Sequence, residues 1–338
     1  MFIGRFLYRV LSEAGIKVVV VNPFAVKQVP LEKTDKGDAV WLATVLMNGM
    51  AKPSLMVSEQ QEALRSLTRQ RTHYTGQLTR VKNRIISVLE SCNFKIMSVI
   101  SNISTKTGMR LVEKLSNGIT DINELIGCCH HSVIRRKAEI LPKAFTGKLS
   151  VNHQLQLKIY LDDWAHIESQ KNKVSAAIKA LFNEEQKSTI KELEKVEGIA
   201  QEAAEVIMAE MGINAKELKN EDSAGKYSGC APGVHESSKK KIVVRCSPGN
   251  KYLRTIMMQV AWAAVKVKDG YWRAEYQHLK KSRGAQKAIV AVARRLVKVI
   301  YKIIVKHHNY EKWDAKRYYE NRANVMEYKK ANQFNRAS

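Results

Sequence analysis

The chain has 338 residues and a formal net charge of +25, from 57 Lys and Arg against 32 Asp and Glu. This length is sufficient for two or three domains with at least one sizeable core. A cationic excess this large favours a polyanionic partner, most commonly nucleic acid, over a surface charged only for solubility. No apolar stretch approaches the roughly 20 residues that span a bilayer, so we expect no membrane partner.

The five cysteines are odd in number and include no CxxC pair, which predicts reduced thiols in a cytoplasm. The run "CCHH" at 128–131 contains the residue types of zinc ligands. Four adjacent side chains cannot converge on one tetrahedral ion, however, and no second cluster completes such a site. We therefore expect neither a disulfide framework nor a zinc site.

The start of the chain predicts a helix, a strand and a second helix. Residues 4–15 have the spacing of an amphipathic helix. "IKVVVVNP" follows and is apolar on both faces, as are strands of a parallel sheet covered by helices. "TDKGDAVWLATVLMNGM" predicts the second helix. The apolar residues expected to face inward on the two helices are Phe6, Leu7, Val10, Leu11, Val40, Leu42, Ala43 and Leu46.

No second strand of this kind follows within about a hundred residues. A lone buried strand would leave its backbone donors and acceptors without partners. We therefore interpret residues 1–55 as part of an α/β domain, with the chain beginning partway through it.

From about residue 58 the pattern is that of long helices with an apolar seam in steps of three and four. Two such runs are joined by residues 95–150 and predict an antiparallel hairpin arm or a dimerisation arm, with two ordinary bundle helices as the alternative. A cation interrupts each seam once, at Arg71 and at Lys171. The apolar seam positions are Leu64, Leu67, Tyr74, Leu78, Val81, Ile85, Val88, Leu157, Tyr160, Trp164, Ile167, Val174, Ile178 and Leu181.

The last part of the chain predicts further helices around a basic loop. "IKELEKVEGIAQEAAEVIMAEMGI" is typical of two helices joined at Gly198, a hairpin that either grips a DNA backbone or simply packs. A short strand, "KIVVR", precedes helices at 251–267 and 285–306, and the tail beyond 310 is expected to fray. The predicted fold class is mainly α, with a partial α/β domain (1–55), a helical arm (56–185), a mostly helical domain (186–310) and a polar tail (311–338).

Two groups of residues have the composition of a phosphate-processing site. Asp35 and Asp38 lie three apart on a predicted helix, so both carboxylates project from one face. Paired carboxylates at the C-terminal edge of an α/β sheet hold Mg²⁺ against phosphate in many nucleases and recombinases. The alternative is that Asp35 caps the helix and Asp38 is a solvated acid of its first turn. In "GVHESSKKK", a serine hydroxyl beside fixed cations could bind or attack a phosphodiester, so Ser237 and Ser238 are candidates. The expected nucleic-acid contacts are Lys239, Lys240, Lys241, Arg245, Asn250, Lys251, Arg254, Arg294 and Arg295.

Two blocks of sequence resemble one family, the DEDD transposases of the insertion sequence 110/116/902 type. "VVVVNPFAVKQVPLEKTDKGDAVWLA" is similar to the end of their RuvC-like (RNase H-like) nuclease domain, where K-T-D-x-x-D-A follows an N-P strand end. "LEKVEGIAQEAAEVIMAEMG", "YSGCAPGVHESSKKKIVVRCSPGNKYLR" and "GAQKAIVAVARRLVKVIY" are similar to their C-terminal transposase domain. With the arm between them, the resemblance covers nearly the whole chain.

The resemblance implies a catalytic centre. Four acids of the family bind divalent metal, and Asp35 and Asp38 match the last two, while Met1 stands where the glutamate would be. A site for Mg²⁺ or Mn²⁺ is therefore implied, and it is incomplete. A family serine, proposed as the nucleophile that joins DNA, matches Ser237 rather than Ser238 in the register of "RCSPGNKYLR", with Lys239 in place of a family glycine.

The resemblance also implies a function: DNA strand cleavage and joining by an insertion-sequence transposase in a bacterial or archaeal cytoplasm, near the nucleoid. It implies a structured guide RNA as a second partner, and the arm suggests a homo-oligomer. A catalytically inactive nucleic-acid-binding remnant is the alternative. We expect that the chain as written does not transpose DNA unaided, and that upstream residues carrying the two other acids would restore metal-dependent cleavage.

Overall fold

The computed structural model describes residues 2–21, 26, 34–51, 53–54, 57–212, 215–233, 235–237, 240–242, 246 and 249–323. Within these residues the protein is mainly α-helical, which confirms the mainly α part of the predicted fold class. The chain divides into two compact units, Met1–Glu59 and Gln60–Ser338. No helix in the described part of the chain is long and apolar enough to cross a membrane.

The first unit contains α1 (Phe2–Glu13) and α2 (Asp35–Met47). The described part of the valine-rich segment between them forms one isolated antiparallel bridge, from Val21 to Pro53. The backbone amide of Ser54 also donates to the Val20 carbonyl at 2.7 Å. Residues 22–25 and 27–33 lie outside the described part of the chain. Membership of this unit in a RuvC-like α/β domain therefore stays a prediction.

The apolar faces of these two helices differ from the prediction. Val40, Leu42 and Leu46 are 61%, 44% and 55% exposed, whereas Val45 is buried. On α1, Phe6 and Leu7 are also exposed. The prediction that these side chains face inward is wrong for the unit as described. The physical reason is that no described element of this unit packs on those helix faces. The spacing of apolar residues predicts which face they share, but it does not determine whether another element covers that face.

The second unit begins with two long helices, α3 (Glu59–Ser91) and α9 (Val151–Leu181). Near the start of α3, Gln60 Nε2 donates to the carbonyl of Leu181 at the end of α9 (2.8 Å). Farther along, the Arg84 guanidinium lies 6.0 Å from the centre of the Tyr160 ring. The two helices therefore run antiparallel. Coiled-coil packing and a role in oligomerisation stay predictions.

Five short helices connect α3 to α9: α4 (Ile96–Val99), α5 (Lys106–Ser116), α6 (Ile122–Gly127), α7 (His131–Arg136) and α8 (Leu141–Ala144). They share one apolar core with the C-terminal half of α3 and the N-terminal half of α9, which includes Ile85, Phe94, Leu111, Phe145 and Leu157. We call this region the helical head. The five cysteines of the chain are free thiols, and no group of three or more potential metal ligands occurs among the described residues.

The rest of the second unit surrounds a second core. Its α-helices are α10 (Glu184–Glu194), α11 (Gln201–Ile207), α12 (Glu221–Tyr227), α13 (Lys251–Ala264), α14 (Tyr271–Arg283) and α15 (Ala285–Lys306). A π-helical turn (Met208–Gly212) and a 3-10 turn (Ala215–Glu217) follow α11, and β1 (His235–Ser237) pairs antiparallel with β2 (Lys240–Ile242). Helix α15 is central, because its face at Ala288, Val292, Leu296 and Ile300 is fully buried.

Part of the predicted tail is folded. The backbone amide of Tyr271 donates to the carbonyl of Trp313 (3.3 Å), and Gly270 pairs with Asp314 in an isolated bridge. Tyr318 is 5% exposed and packs edge-on against Tyr271 with ring centres 5.3 Å apart. The expectation of a frayed extension is therefore wrong as far as residue 323. Aromatic side chains anchor this otherwise charged segment, and residues 324–338 lie outside the described part.

Candidate functional site

The acid pair lies in the first turn of α2. Thr34 caps this helix: its hydroxyl oxygen accepts from the Gly37 amide (3.1 Å), and its carbonyl accepts from the Asp38 amide (3.0 Å). The alternative in which Asp35 is the cap is therefore wrong, because Thr34 has that role. Asp35 and Asp38 are both exposed, and neither carboxylate has an ion-pair partner among the described residues.

Two carboxylates are a partial donor set for a metal ion. No cluster of three or more His, Cys, Asp or Glu side chains occurs in the part of the chain that the structure describes. Mg²⁺ is commonly held by one or two carboxylates, with water and substrate phosphate oxygens filling its other positions. The chemistry of Asp35 and Asp38 therefore fits Mg²⁺ or Mn²⁺ when other oxygens complete the coordination shell.

Ser237 lies at the end of a β-hairpin. His235 pairs with Ile242, and Ser237 forms the last pair before the turn, with Lys240. Ser238, Lys239 and Arg245 lie outside the described residues. At the other end, Pro232 and Cys246 pair in an isolated antiparallel bridge, one residue out of register with the hairpin. The candidate serine is thus beside the turn, and the Pro232–Cys246 bridge marks the hairpin base.

The hairpin base is built on a close contact between two glycines. A Cβ on Gly249 would lie 2.3 Å from the Gly229 nitrogen and 2.5 Å from its Cα, so only glycine fits there. The Asn250 amide donates to the Tyr227 carbonyl (2.8 Å). Arg254, expected to bind nucleic acid, donates from Nη1 to the Gly229 carbonyl (2.7 Å). The segments that enter and leave the hairpin are therefore fixed to each other.

Glu210, in the π-helical turn, is a fully buried carboxylate that is linked to this base through Asn250. Arg69 binds it with two hydrogen bonds, Nε to Oε1 at 2.8 Å and Nη2 to Oε2 at 2.9 Å. Asn250 Nδ2 donates to Oε2 (2.7 Å), and Arg65 Nε lies 3.5 Å from the same oxygen. Burial lowers the pKa of Arg69, but hydrogen bonds and charge from Glu210 outweigh it, so the pKa is raised. We call these four residues the Glu210 network.

Asn250 joins the Glu210 network to the start of α13. Its Oδ1 accepts from the amides of Tyr252 (3.0 Å) and Leu253 (3.2 Å), which makes it the helix N-cap. Its Nδ2 is used by Glu210 and, at 3.4 Å, by the Tyr227 hydroxyl. The side chain predicted to contact nucleic acid is thus fully engaged within the protein, where it positions the loop that leads out of the hairpin.

The other predicted cations differ in their availability. Lys251 is exposed, with Nζ 5.0 Å from the Tyr252 ring centre. Arg294 pairs with Asp222 at 2.9 Å, and Arg295 pairs with the buried carboxylate of Glu275. Both arginines therefore stabilise contacts of α15 with its neighbours. Their binding to nucleic acid stays a prediction, as does that of Lys239, Lys240, Lys241 and Arg245.

Gly198 connects α10 to α11 and packs against α13. Its φ is +86°, and a Cβ there would lie 2.5 Å from the Val260 carbonyl oxygen and 2.8 Å from the Ala264 nitrogen. Only glycine combines this backbone conformation with so close a contact. The structure therefore favours the packing alternative over a hairpin that grips a DNA backbone.

The cations that interrupt the arm's seams pair with acids of α11. Arg71 forms a buried ion pair with Glu205 and donates to the Glu202 carbonyl (3.1 Å). Lys171 Nζ lies 3.1 Å from Glu202 Oε1. The breaks in the apolar pattern were the sequence signal for these contacts, although their partners were not predicted.

The Glu210 network was missed by the sequence analysis. A signal was present, because Glu210 is the only charged residue in the apolar run "VIMAEMGI" at 206–213. An acid in such a run is buried with its neighbours and requires a cationic or hydrogen-bonding partner. Its partners Arg65 and Arg69 lie more than a hundred residues earlier in the chain, and Asn250 lies forty residues later. Local spacing could therefore not identify them.

Two family models match the chain, and both describe transposases. Residues 2–94, with Asp35 and Asp38, match the DEDD transposase model of IS110 type. Residues 190–277, with the Ser237 hairpin, Glu210 and Asn250, match the model described as transposase IS116/IS110/IS902 family. The two matches together cover more than half of the chain, which belongs to the IS110/IS116/IS902 transposase family. No curated protein matches the chain.

Proposed function

We propose that this transposase binds DNA and takes part in the strand cleavage and joining that move an insertion sequence. The observation that carries the proposal is the position of Ser237, at the closing pair of a hairpin whose base is fixed by the Gly229–Gly249 contact. A nucleophile has to be held in a defined geometry to react efficiently. The family assignment and the charge of +25 support DNA as the partner.

In this proposal Asp35 and Asp38 hold Mg²⁺ or Mn²⁺. The metal, when bound, neutralises charge on the phosphoryl oxygens as the phosphodiester reacts. Both carboxylates are exposed in the first turn of α2, and no cation among the described residues pairs with either, so both can approach a metal on the DNA. The family resemblance implies four acids, so we expect ligands beyond this pair to complete the site.

Ser237 is the proposed nucleophile. Its Oγ attacks phosphorus, an Oγ–P bond forms, and the P–O bond to the departing sugar breaks. The serine proton ends on the leaving sugar oxygen, so no oxidant or other co-reactant is required. Attack of a DNA hydroxyl on the phosphoserine ester reverses these changes, joins the strand and releases Ser237. Basic residues next to the serine in sequence, including Lys240 and Lys241, supply charge suited to the phosphate.

Further parts of the proposal follow from the family and from the arm. A structured guide RNA is a second polyanion that suits the same basic chain. A homo-oligomer formed through α3 and α9 would bring two copies of the serine to one DNA junction. Free cysteines agree with a reducing cytoplasm, where the protein would associate with the nucleoid.

Binding without cleavage is a second candidate function. The observation that favours it is that Asp35 and Asp38 are not joined by a third potential ligand among the described residues. A protein with an incomplete metal site would still bind DNA through its cations. The expectation that this chain does not transpose DNA unaided belongs to this candidate.

One assay separates the candidates. Purified protein is incubated with element-end DNA and Mg²⁺, and covalent protein–DNA adducts are resolved on denaturing gels beside mobility shifts on native gels. The first candidate predicts an adduct that is lost in Ser237→Ala and Asp35→Asn and kept in Ser238→Ala. A mobility shift without an adduct supports the second candidate. If neither an adduct nor a mobility shift is seen, both candidate functions are wrong.

A further inference from the structure

A group of uncompensated cations lies where α14 meets α15. Gly284, with a φ of +77°, separates the two helices. Four cations flank it, all of them exposed: Lys280, Lys281, Arg283 and Lys287. No acid occurs in the sequence between Glu275 and Glu311. We call these four side chains the turn cations.

The turn cations differ from the other cations of α15. None of the four has an ion-pair partner in the part of the chain that the structure describes. Farther along α15, Lys298 lies 2.9 Å from Asp222 and Lys302 lies 3.4 Å from Glu221, and Arg294 and Arg295 are paired as well. The acids of α12 and α14 thus neutralise the middle of α15 and leave its N-terminal end positive.

Two cations of this part of the molecule contribute to the pKa shift of one neighbouring imidazole, that of His278. His278, one turn before the end of α14, has a lowered pKa, first because of burial and then because of the charges of Arg322 and Lys281. Arg322 belongs to the folded segment that packs beside α14, so it adds a fifth cation from a different part of the chain. The positive surface is therefore assembled by the fold and is not only a run in the sequence.

The chemistry of the surface suits phosphates better than another protein. Residues 280–287 read "KKSRGAQK" and present no large apolar or aromatic side chain. Stable protein interfaces are centred on such anchors. Contacts to a nucleic-acid backbone instead come mainly from Arg, Lys, Ser and Gln side chains, all of which are present here.

We propose that Lys280, Lys281, Arg283 and Lys287, four cations outside the Ser237 hairpin, bind the phosphate backbone of duplex DNA. Naming DNA as the polyanion rests on the proposed function. The surface holds DNA by charge, independently of sequence, while the hairpin supplies the chemistry. Each phosphate neutralised adds about 0.9 to the slope of log affinity against log salt.

The test compares two variants that each lose four positive charges. In the first, Lys280, Lys281, Arg283 and Lys287 are changed to Gln. In the matched control, four exposed cations of the helical head, Lys106, Arg110, Arg135 and Lys143, are changed to Gln. Binding of a labelled duplex of arbitrary sequence is followed by fluorescence anisotropy, at salt from about 50 to about 200 mM.

We expect the slope to fall by about 2–4 in the turn variant and by less than about 1 in the control. Equal slopes in the two variants would overturn the proposal. It would also be overturned if the turn variant lost affinity for a hairpin RNA while its affinity for duplex DNA stayed unchanged. Circular dichroism of both variants should equal that of the unmodified protein, since all eight side chains are exposed. If the slope falls as expected in the turn variant but no Ser237-dependent adduct forms, the proposed chemistry is wrong and the DNA surface stands. If adducts form but the slope of the turn variant equals that of the control, the DNA surface is wrong and the chemistry stands.

Discussion

Asn250 and Glu210 are joined by a hydrogen bond of 2.7 Å, from Asn250 Nδ2 to Glu210 Oε2. The same asparagine caps α13 with its side-chain oxygen, and its backbone amide donates to Tyr227. One residue therefore links a buried acid, the start of a helix and the segment that leads into the serine hairpin. The Glu210 network connects this assembly to Arg65 and Arg69 of the arm helix α3.

Asn250→Ala should destabilise the protein more than loss of an ordinary helix cap. The substitution removes the cap, a loss of about 1 kcal/mol. It also removes a hydrogen bond to a buried carboxylate, about 1–3 kcal/mol more. The matched control is Asn220→Ala, because Asn220 is the exposed N-cap of α12 and, among the described residues, its side chain bonds only within that turn. Urea unfolding would measure both, and equal losses would contradict a linking role for Asn250.

The ion pair between Arg71 and Glu205 should behave as a buried pair. Arg71→Met leaves the Glu205 carboxylate buried without its partner, and we expect a loss of about 3–5 kcal/mol in the free energy of unfolding. The double variant with Glu205→Met should recover most of that loss, because both positions then fill an apolar seam. Lys171→Met is the control: its partner Glu202 is 61% exposed, so we expect a change below about 1 kcal/mol. Additive effects of the two Met substitutions would refute the pairing.

Gly249→Ala should disrupt the base of the serine hairpin. The added methyl group would meet backbone atoms of Gly229, which cannot move aside as a side chain can. We expect a clear loss of stability and, where cleavage is measurable, a loss of Ser237-dependent adducts. Gly76→Ala in α3 is the control, since no atom lies within 4 Å of the added Cβ. Gly76→Ala should raise the free energy of unfolding by up to about 1 kcal/mol. A Gly249→Ala variant as stable as the unmodified protein would contradict the close contact.

Mn²⁺ should bind near the start of α2. Asp35→Asn and Asp38→Asn should each weaken Mn²⁺ binding, measured through the relaxation of water protons in the presence of DNA. Neutralising Asp162 and Asp163, an exposed aspartate pair of α9, should leave the binding unchanged. Equal effects of the two pairs would mean that the ion responds only to net charge.

The sequence predicted those features that depend on local spacing. The long helices α3 and α9 follow from sustained periodicity, and the first turn of α2 was placed correctly at Asp35 and Asp38. The exposure of Val40 and Leu46 could not be foreseen, because burial depends on what packs against a face. The partners of Glu210 were likewise beyond reach, since a buried acid recruits them from anywhere in the chain.

The folded segment 310–323 illustrates the same limit. Its composition is charged, and its four aromatic residues, Tyr310, Trp313, Tyr318 and Tyr319, do not recur with a regular helical or strand period. The rings of Trp313 and Tyr318 nevertheless pack on Tyr271, a contact that only the fold of α14 makes available. Composition therefore gave the wrong expectation for these residues.

Whether this chain acts on DNA is decided by the salt dependence of its affinity for duplex DNA. We expect the unmodified protein to bind tightly at about 50 mM salt and to lose about 10³-fold or more in affinity by about 200 mM, as for six or more phosphate contacts. An affinity that does not change between these salt concentrations, or no binding at the lower one, would contradict it.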